Sequence, residues 1–361
     1  MNDKVTLMKG NEALAMAMIR YGADGYFGYP ITPQSEVLEK LEEEMPWDTT
    51  GMVVLQAESE VAAINMVYGG AMTGKAVCTS TSSPGFSLMQ EGVSYLAASE
   101  VPALLINVQR GGPGLGTIHA SQADYFQACK GGGHGDYHMI VLAPSSVQEM
   151  ADMVALGFDL AFKYRCVSMI LADGTIGQLM EKVVLPEQRP RRTDDEIREQ
   201  CPWAVNGRKG MRPSNVVTSL ELDDDKMEEN NWRFQATYRE IEKNETRCEL
   251  IDVEDCDYLI TAFGTTARVA MKTMELARAE GIKVGMFRPI TLWPFPEKQL
   301  REAAKNVKGI LCVELNAGQM VEDVKLAVEC KMPVEHYGRF GGNVPTPDEL
   351  LNVLKEKLIN K

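Results

Sequence analysis

Hydrophobic and polar positions along the first half of the chain follow two periods, one typical of helices and one typical of strands. Residues 11–21 place Leu14 and Met18 on one helical face, and the short apolar run 25–29 that follows indicates a strand ending at Pro30. The same alternation then repeats. The other predicted helices are 35–45, 58–72, 86–98 and 147–164, and the other predicted strands are 52–55, 75–81, 103–108, 139–142 and 167–171.

Strands that alternate with helices indicate an α/β fold, in which a parallel sheet is covered by helices on both faces. The carboxyl ends of parallel strands meet at one edge of the sheet, and ligands bind there in this architecture. We therefore expect a functional site in the loops that follow residues 29, 55, 81 and 108.

The alternation breaks down between residues 186 and 255, where the sequence is rich in charge and contains several prolines. One helix, over residues 230–244, is predicted in this connecting segment. A second and smaller α/β unit follows. Its predicted strands are 258–263, 284–287, 310–314 and 334–337, and its predicted helices are 266–280, 297–305, 320–330 and 347–358.

The length of 361 residues is consistent with two domains of ordinary size. We assign a first domain to residues 1–190, a connecting segment to residues 191–254 and a second domain to residues 255–361. Apolar residues make up 45% of the chain and charged residues 24%, which is usual for a globular enzyme and excludes global disorder. The net charge of −14 would repel a phosphate backbone, so we expect no nucleic-acid partner.

The sequence carries no sign of a membrane segment or of a metal-binding loop. The first ten residues contain Asp3, Lys4 and Lys9, and the apolar runs are far shorter than the roughly 20 residues of a membrane helix. We therefore expect a cytoplasmic protein without a membrane partner. The eight cysteines form no C-x-x-C pair, so we predict no iron–sulfur, zinc or other metal site in this chain.

Three features at predicted strand ends suggest chemistry. Pro30 and Pro33 bracket Thr32, and the two rings restrict the backbone and so the direction of the hydroxyl. An ordinary turn with a proline in the first turn of a helix explains this run equally well. Glu58 and Glu60 open a predicted helix that is otherwise apolar, although acidic residues in a first turn commonly just complement the helix dipole.

The third feature is Arg110, the one Lys or Arg between residues 91 and 128. It follows a predicted buried strand directly and precedes a glycine-rich loop. A guanidinium group in this position suits a carboxylate substrate, because its geometry matches a carboxylate through two parallel hydrogen bonds.

Four runs together resemble the alpha subunit of the 2-oxoacid:ferredoxin oxidoreductases. They are YPITP at 29–33, QAESEVAA at 56–63, STSSPG at 80–85 followed by LM at 88–89, and VQR at 108–110. The loop at 112–124, GPGLGTIHASQAD, resembles the branched-chain, 2-oxoisovalerate type. A pyruvate or 2-oxoglutarate enzyme with a divergent loop, or a non-catalytic scaffolding homologue, remains an alternative.

The resemblance implies thiamine diphosphate as the cofactor, a pyrimidine-binding first domain and a second domain like the carboxyl-terminal domain of transketolase. It also implies a glutamate beside ring nitrogen N1′ of the aminopyrimidine. Glu60 lies nine residues before Gly69, the spacing found in other thiamine enzymes, whereas Glu58 does not. The resemblance further assigns Thr32 and Arg110 to the oxo and carboxylate groups of the substrate. The same resemblance assigns cofactor contacts to Pro30, Ile31 and Ser83.

The chain lacks the G-D-G segment with which thiamine enzymes hold magnesium and the diphosphate. The resemblance therefore implies a beta subunit that carries the diphosphate domain, the magnesium and the iron–sulfur cluster. A gamma subunit and a ferredoxin-like subunit are also implied. The activity implied is oxidative decarboxylation of 2-oxoisovalerate to its acyl-coenzyme A, with coenzyme A as co-substrate and an external ferredoxin as electron acceptor.

Overall fold

Eight strands and eight helices form the first unit in the computed structural model, which describes residues 5–208, 210 and 212–360. The strands are β1 (Val5–Lys9), β2 (Gly25–Gly28), β3 (Val53–Gln56), β4 (Val77–Thr81), β5 (Ala103–Gln109), β6 (Ile140–Leu142), β7 (Val167–Asp173) and β8 (Met180–Val184). The helices are α1 (Gly10–Tyr21), α2 (Ser35–Glu44), α3 (Pro46–Thr49), α4 (Glu60–Met72), α5 (Ser83–Ala98), α6 (Tyr125–Cys129), α7 (Val147–Tyr164) and α8 (Gly174–Gln178). Every helix and strand predicted for this half is confirmed, with ends that differ by at most three residues.

The central sheet has seven strands, and six of them come from this unit. Together with β12 (Thr291–Trp293), from later in the chain, they form the order β12-β6-β7-β5-β4-β2-β3. All neighbours are parallel except β12 and β6. Strands β4, β5 and β7 are buried at every position, because helices cover both faces of the sheet.

The connecting segment and the second unit follow. The segment contains α9 (Asp194–Gln200) and α10 (Asp224–Asn244). The second unit has strands β9 (Cys248–Ile251), β10 (Tyr258–Ala262), β11 (Val284–Pro289), β13 (Gly309–Glu314) and β14 (Val334–Gly338). Its helices are α11 (Gly264–Ala279), α12 (Glu297–Ala303), α13 (Met320–Ala327) and α14 (Pro347–Leu354), and a π-helical turn (Lys355–Ile359) follows. The strand order is β14-β13-β10-β11-β9, and only β9 is antiparallel to its neighbour among these described strands.

Pairings between distant segments add features that the hydrophobic pattern did not predict. Strand β12 pairs with β6, so residues of the second unit extend the sheet of the first. Strand β9 belongs to the second sheet, although it lies inside the range assigned to the connecting segment. Strands β1 and β8 form a separate antiparallel pair. The division at residues 190 and 254 stays a prediction.

Buried polar contacts fix the two units against each other. Asp173, at the end of β7, accepts hydrogen bonds from the backbone nitrogen and the hydroxyl of Thr265 at 2.9 and 2.6 Å. It also caps α8 by accepting from the backbone nitrogen of Thr175 at 3.1 Å. One hydrophobic cluster continues from the first sheet into the second unit, where it includes Phe287 and Trp293. The loops of the second unit are therefore held at a defined place beside the first sheet.

Candidate active site

The four expected loops lie at one edge of the sheet. Strands β5, β4, β2 and β3 are consecutive neighbours and run parallel, so their carboxyl ends emerge side by side. Thr32 lies in the loop after β2, and Glu60 follows β3. Ser83 begins the helix after β4, and Arg110 follows β5. The topology thus brings together residues that are up to 78 positions apart in the sequence.

Thr32 and Arg110 are in direct contact. Nη1 of Arg110 donates a hydrogen bond to the backbone oxygen of Thr32 at 2.9 Å. The Nε atom of the same guanidinium is buried and has no hydrogen-bond partner in the described part of the chain. Pro30 and the side chain of Thr32 are exposed, and Ile31 is half-buried. The Thr32 loop is therefore accessible to solvent, beside a guanidinium whose Nη2 atom makes no hydrogen bond in the described chain.

A network of buried hydrogen bonds holds the Thr32 loop in place. Gln34 is fully buried and donates to the backbone oxygen of Tyr29 at 3.1 Å, while its oxygen accepts from Ser80 at 2.6 Å. Asn11 donates to the backbone oxygen of Pro33 at 2.6 Å. The direction of Thr32 is consequently set by contacts on both sides of the loop, in addition to the two prolines.

Glu60 and Glu58 lie in different environments. Ser59 caps α4 by accepting from the backbone nitrogen of Ala62 at 3.1 Å, so Glu60 is the first helical residue. The prediction that Glu58 lies in the first turn is wrong, because the cap residue Ser59 adopts an extended backbone. Glu58 is exposed, whereas Glu60 is only 6% exposed.

The carboxylate of Glu60 has no hydrogen-bond donor among the described residues. Gly85 makes room for this carboxylate at the start of α5. A Cβ atom at Gly85 would lie 2.7 Å from Oε1 of Glu60 and would collide with Oγ1 of Thr81. The hydroxyls of Thr81 and Ser82 are buried without a partner in the described chain. Next to the space that Gly85 leaves open, Glu60 thus offers a carboxylate without a hydrogen-bond donor in the described chain, which suits a polar ligand.

No role was assigned to Gly85 or Thr81 from the sequence, although both residues belong to the STSSPG run and lie next to the Glu60 carboxylate.

Ser83 connects the arginine to a buried carboxyl group. Its hydroxyl donates to Oδ2 of Asp124 at 2.6 Å and accepts from the backbone nitrogen of Arg110 at 3.0 Å. Asn107 also donates to Oδ2 of Asp124, at 3.0 Å. Burial raises the pKa of Asp124, although the hydrogen bonds from Ser83 and Asn107 oppose this effect. The hydroxyl of Ser83 therefore orients Arg110, a role that sequence reasoning did not assign, and neither Asn107 nor Asp124 was singled out.

A cavity of about 580 Å³ opens beside Arg110. Its walls come from the first unit and from the loops of the second unit near Asn316 and Phe340. In the described residues, no group of three or more His, Cys, Asp or Glu side chains could hold a metal ion. None of the described helices is both long enough and apolar enough to cross a membrane.

Comparisons with known proteins agree with this arrangement. The family model described as pyruvate flavodoxin/ferredoxin oxidoreductase, thiamine diphosphate-binding, matches residues 16–248. A second model, pyruvate:ferredoxin oxidoreductase core domain II, matches residues 256–350. The chain is 47% identical to ketoisovalerate oxidoreductase subunit VorB of Methanothermobacter marburgensis, over 97% of each chain. It is 35% identical to 2-oxoglutarate synthase subunit KorA of the same organism, over 96% of this chain and 97% of the relative.

Solved structures share the fold. The chain superposes on 2-oxoglutarate:ferredoxin oxidoreductase from Magnetococcus marinus, solved with 2-oxoglutarate, coenzyme A and succinyl-CoA bound, with a TM-score of 0.81 and 28% identity. The match covers 98% of this chain and 65% of that chain. A split-gene transketolase, with a TM-score of 0.60 and 13% identity, shares the fold alone.

The resemblance carried by the four runs is thus confirmed, and so is the fold of a thiamine diphosphate-binding domain with a smaller transketolase-like domain. One family model covers more than half of the chain, and a 47% identical relative matches it almost from end to end. The chain therefore belongs to the 2-oxoacid:ferredoxin oxidoreductases, as a subunit of the ketoisovalerate type.

Proposed function

We propose that this chain is the alpha subunit of a complex that oxidatively decarboxylates 2-oxoisovalerate to its acyl-coenzyme A and passes the electrons to ferredoxin. The observation that carries the proposal is the contact between Thr32 and Arg110 at the sheet edge that also holds Glu60, which is 6% exposed and has no hydrogen-bond donor among the described residues. The higher identity to the ketoisovalerate subunit, 47% against 35% for the 2-oxoglutarate subunit, favours the branched-chain substrate.

The residues at the edge fit the aminopyrimidine half of thiamine diphosphate. When bound, this cofactor supplies the nucleophilic carbon and the electron sink that decarboxylation of a 2-oxo acid requires. Glu60 would hold a proton at ring nitrogen N1′, because its buried carboxylate lacks a donor within the described chain. Gly85 keeps space open next to that carboxylate. Pro30 and Ile31 would lie against the cofactor, and Ser83 would act by orienting Arg110.

Arg110 and Thr32 would bind the substrate. The Nη1 atom of Arg110 is engaged by the backbone of Thr32, whereas Nε and Nη2 have no partner in the described part of the chain. Since Nε is buried, a substrate carboxylate could accept a hydrogen bond from Nη2. Thr32 is an exposed residue, and its hydroxyl would donate to the oxo group. The polar groups of a 2-oxo acid would then all be satisfied by residues of this chain.

Partner subunits would complete the site. The sequence has no G-D-G segment and no C-x-x-C pair, so a beta subunit would hold the diphosphate, the magnesium and the iron–sulfur cluster. A gamma subunit and a ferredoxin-like subunit would complete the assembly, and coenzyme A would accept the acyl group. The names of the relatives, which are subunits of oxidoreductases, support an assembly of several chains.

The test is ferredoxin reduction by the purified complex, with 2-oxoisovalerate, pyruvate and 2-oxoglutarate as substrates in separate assays. We expect the highest kcat/KM for 2-oxoisovalerate and a strict requirement for coenzyme A and the beta subunit. Cofactor and metal analysis of the same preparation should find thiamine diphosphate, magnesium and iron. A complex that contains the cofactor but turns over none of the three acids would overturn the proposal in favour of a scaffolding role.

A further inference from the structure

Phe340 is a large aromatic side chain that the fold leaves 60% exposed at the cavity beside Arg110. We infer that Phe340 is a specificity-determining residue, which packs against the branched aliphatic group of the substrate. The inference rests on the proposed function, and it adds a residue of the second unit to the substrate-binding residues Thr32 and Arg110 of the first.

The composition of the cavity wall favours an apolar side chain on the substrate. The apolar part of the wall includes Pro113, Leu115, Leu315 and Phe340. Among the residues described, Arg110 is the single cation of the lining and Asp124 the single carboxylate. Once Arg110 binds the carboxylate of a 2-oxo acid, a second carboxylate would find no cation and would be desolvated at a cost. A monocarboxylic acid with an apolar tail fits this wall.

The loop that carries Phe340 is packed closely against the first unit. A Cβ atom at Gly111 would lie 3.5 Å from Cα of Gly341, and a Cβ atom at Gly342 would collide with His119. Gly342 has a φ of +89°, which a side chain would also strain. Gly342 therefore lets the Phe340 loop approach the segment that begins at Arg110.

Gln122 locks the far end of that segment to the second unit. It is fully buried, and its Nε2 donates to the backbone oxygen of Phe263 at 2.7 Å. Its Oε1 accepts from the backbone nitrogen of Leu315 at 2.9 Å, and its backbone oxygen accepts from Nδ2 of Asn316 at 2.7 Å. The part of the wall formed by Leu315 and Asn316 is therefore preorganised, and a wall fixed in this way can discriminate between substrates of different size.

The size of the substrate side chain determines how strongly the contact with Phe340 affects kcat/KM. The isopropyl group of 2-oxoisovalerate extends further from the oxo carbon than the methyl group of pyruvate does. Losing the aromatic wall should therefore affect the longer acid most. In a hydrophobic pocket the loss of contact for about one methyl group changes kcat/KM by roughly tenfold.

The experiment compares variants of the assembled complex. In Phe340→Ala we expect kcat/KM for 2-oxoisovalerate to fall about tenfold and that for pyruvate to change less than about twofold. Phe340→Leu should retain most of the preference, because it keeps an apolar wall. Trp232→Ala is the matched control, since Trp232 is 61% exposed on α10 and lies outside the cavity lining. That variant should keep the wild-type ratio of the two substrates.

Two results would overturn the inference. One is an equal fall for both substrates in Phe340→Ala; the other is loss of a partner subunit from that variant in size-exclusion chromatography, which would make Phe340 a docking residue. If the wild-type complex does not act on 2-oxoisovalerate, the proposed function falls. If it does act and Phe340→Ala keeps the wild-type ratio, only this inference falls.

Discussion

Glu60 and Glu314 are two buried glutamates, one at the start of helix α4 in the first unit and one at the end of strand β13 in the second, and their surroundings differ. Glu60 is 6% exposed and accepts no hydrogen bond from the described residues. Glu314 is fully buried and accepts from Asn316 at 2.9 Å and from the backbone nitrogens of Met320 and Val321 at 2.8 and 3.1 Å. The same architecture thus uses one carboxylate to hold a helix start and leaves the other without a partner.

The difference shows how to separate structural from functional polar groups. A buried polar group normally costs free energy unless it is hydrogen-bonded, so a fully bonded carboxylate such as Glu314 is explained by the fold. A mostly buried carboxylate such as Glu60, which has no hydrogen-bond donor in the described chain, is free to bind a ligand and is therefore a candidate functional group. Two arginines differ in their hydrogen bonding in the same way. Arg288 is bonded to Glu149 and Glu249, whereas Arg110 keeps a buried Nε without a partner in the described chain.

The largest effect is expected at Glu60. Glu60→Gln should lower the decarboxylation rate of the complex about a hundredfold or more, because the substitution removes a proton-transfer group. The thiamine diphosphate content should be unchanged, since the partner would hold the diphosphate. Glu58→Gln is the matched control, with an exposed carboxylate two residues away, and should turn over normally. Normal turnover in Glu60→Gln combined with loss in Glu58→Gln would reverse the assignment.

Arg110→Met should have the next largest effect. The substrate carboxylate would lose a charged hydrogen-bond partner, which is worth about 2 kcal/mol, or roughly thirtyfold in kcat/KM. We expect this loss for 2-oxoisovalerate, pyruvate and 2-oxoglutarate alike, with little change in preference. Arg110→Lys should be more active than Arg110→Met, because lysine keeps the positive charge but lacks the planar guanidinium group. A loss confined to 2-oxoglutarate would mean that Arg110 contacts the side chain, and the branched-chain assignment would fall with it.

Glu314→Gln should change stability and leave catalysis intact. The amide cannot accept from all of the donors that face Glu314, so the start of α13 should lose about 1.5–3 kcal/mol of protection. Hydrogen exchange of residues 309–327 in the complex measures this loss. The turnover per folded complex should stay within about twofold of wild type. A large fall in turnover with unchanged hydrogen exchange would show that Glu314 acts in catalysis and not in stability.

The smallest effect concerns the pH dependence of the ion pair between Glu149 and Arg288, which joins α7 to β11. Burial raises the pKa of Glu149, but the hydrogen bonds and charge of Arg288 outweigh it, so the pKa is lowered overall. A lowered pKa stabilises the folded state above the ordinary value for glutamate, and the stabilisation is lost as the pH falls towards the folded value.

Glu149→Gln should therefore flatten the acid side of the stability curve by about 1 kcal/mol or less. Thermal unfolding of the complex between pH 6 and about pH 4 measures this slope. Asp152→Gln, on the same helix and exposed, is the matched control and should keep the wild-type slope. An identical slope in wild type and Glu149→Gln would show that the pair contributes nothing to the pH dependence.

Local sequence accounts for most of the secondary structure. The helix over 147–164 was predicted with both ends correct, because Ser146 caps its start and an unbroken apolar face follows. The predicted helix at 86–98 begins three residues later than α5 does in the structure. Ser83 and Pro84 form the first turn of α5, a position to which proline is well suited. The pairing of β12 with β6 could not be predicted, because hydrophobic periodicity indicates that a segment is a strand but not which sheet the strand belongs to.

The sequence by itself determined the parallel α/β order, the four loops at strand ends and the resemblance that identified the family. These depend on local periodicity and on residues close together in the chain. Only the tertiary structure decided that Arg110 contacts Thr32, that Glu60 has no donor among the described residues and that Phe340 from the second unit lines the cavity beside Arg110. Whether a polar group is satisfied, and which distant side chain faces it, depends on contacts between elements, and local sequence does not specify those contacts.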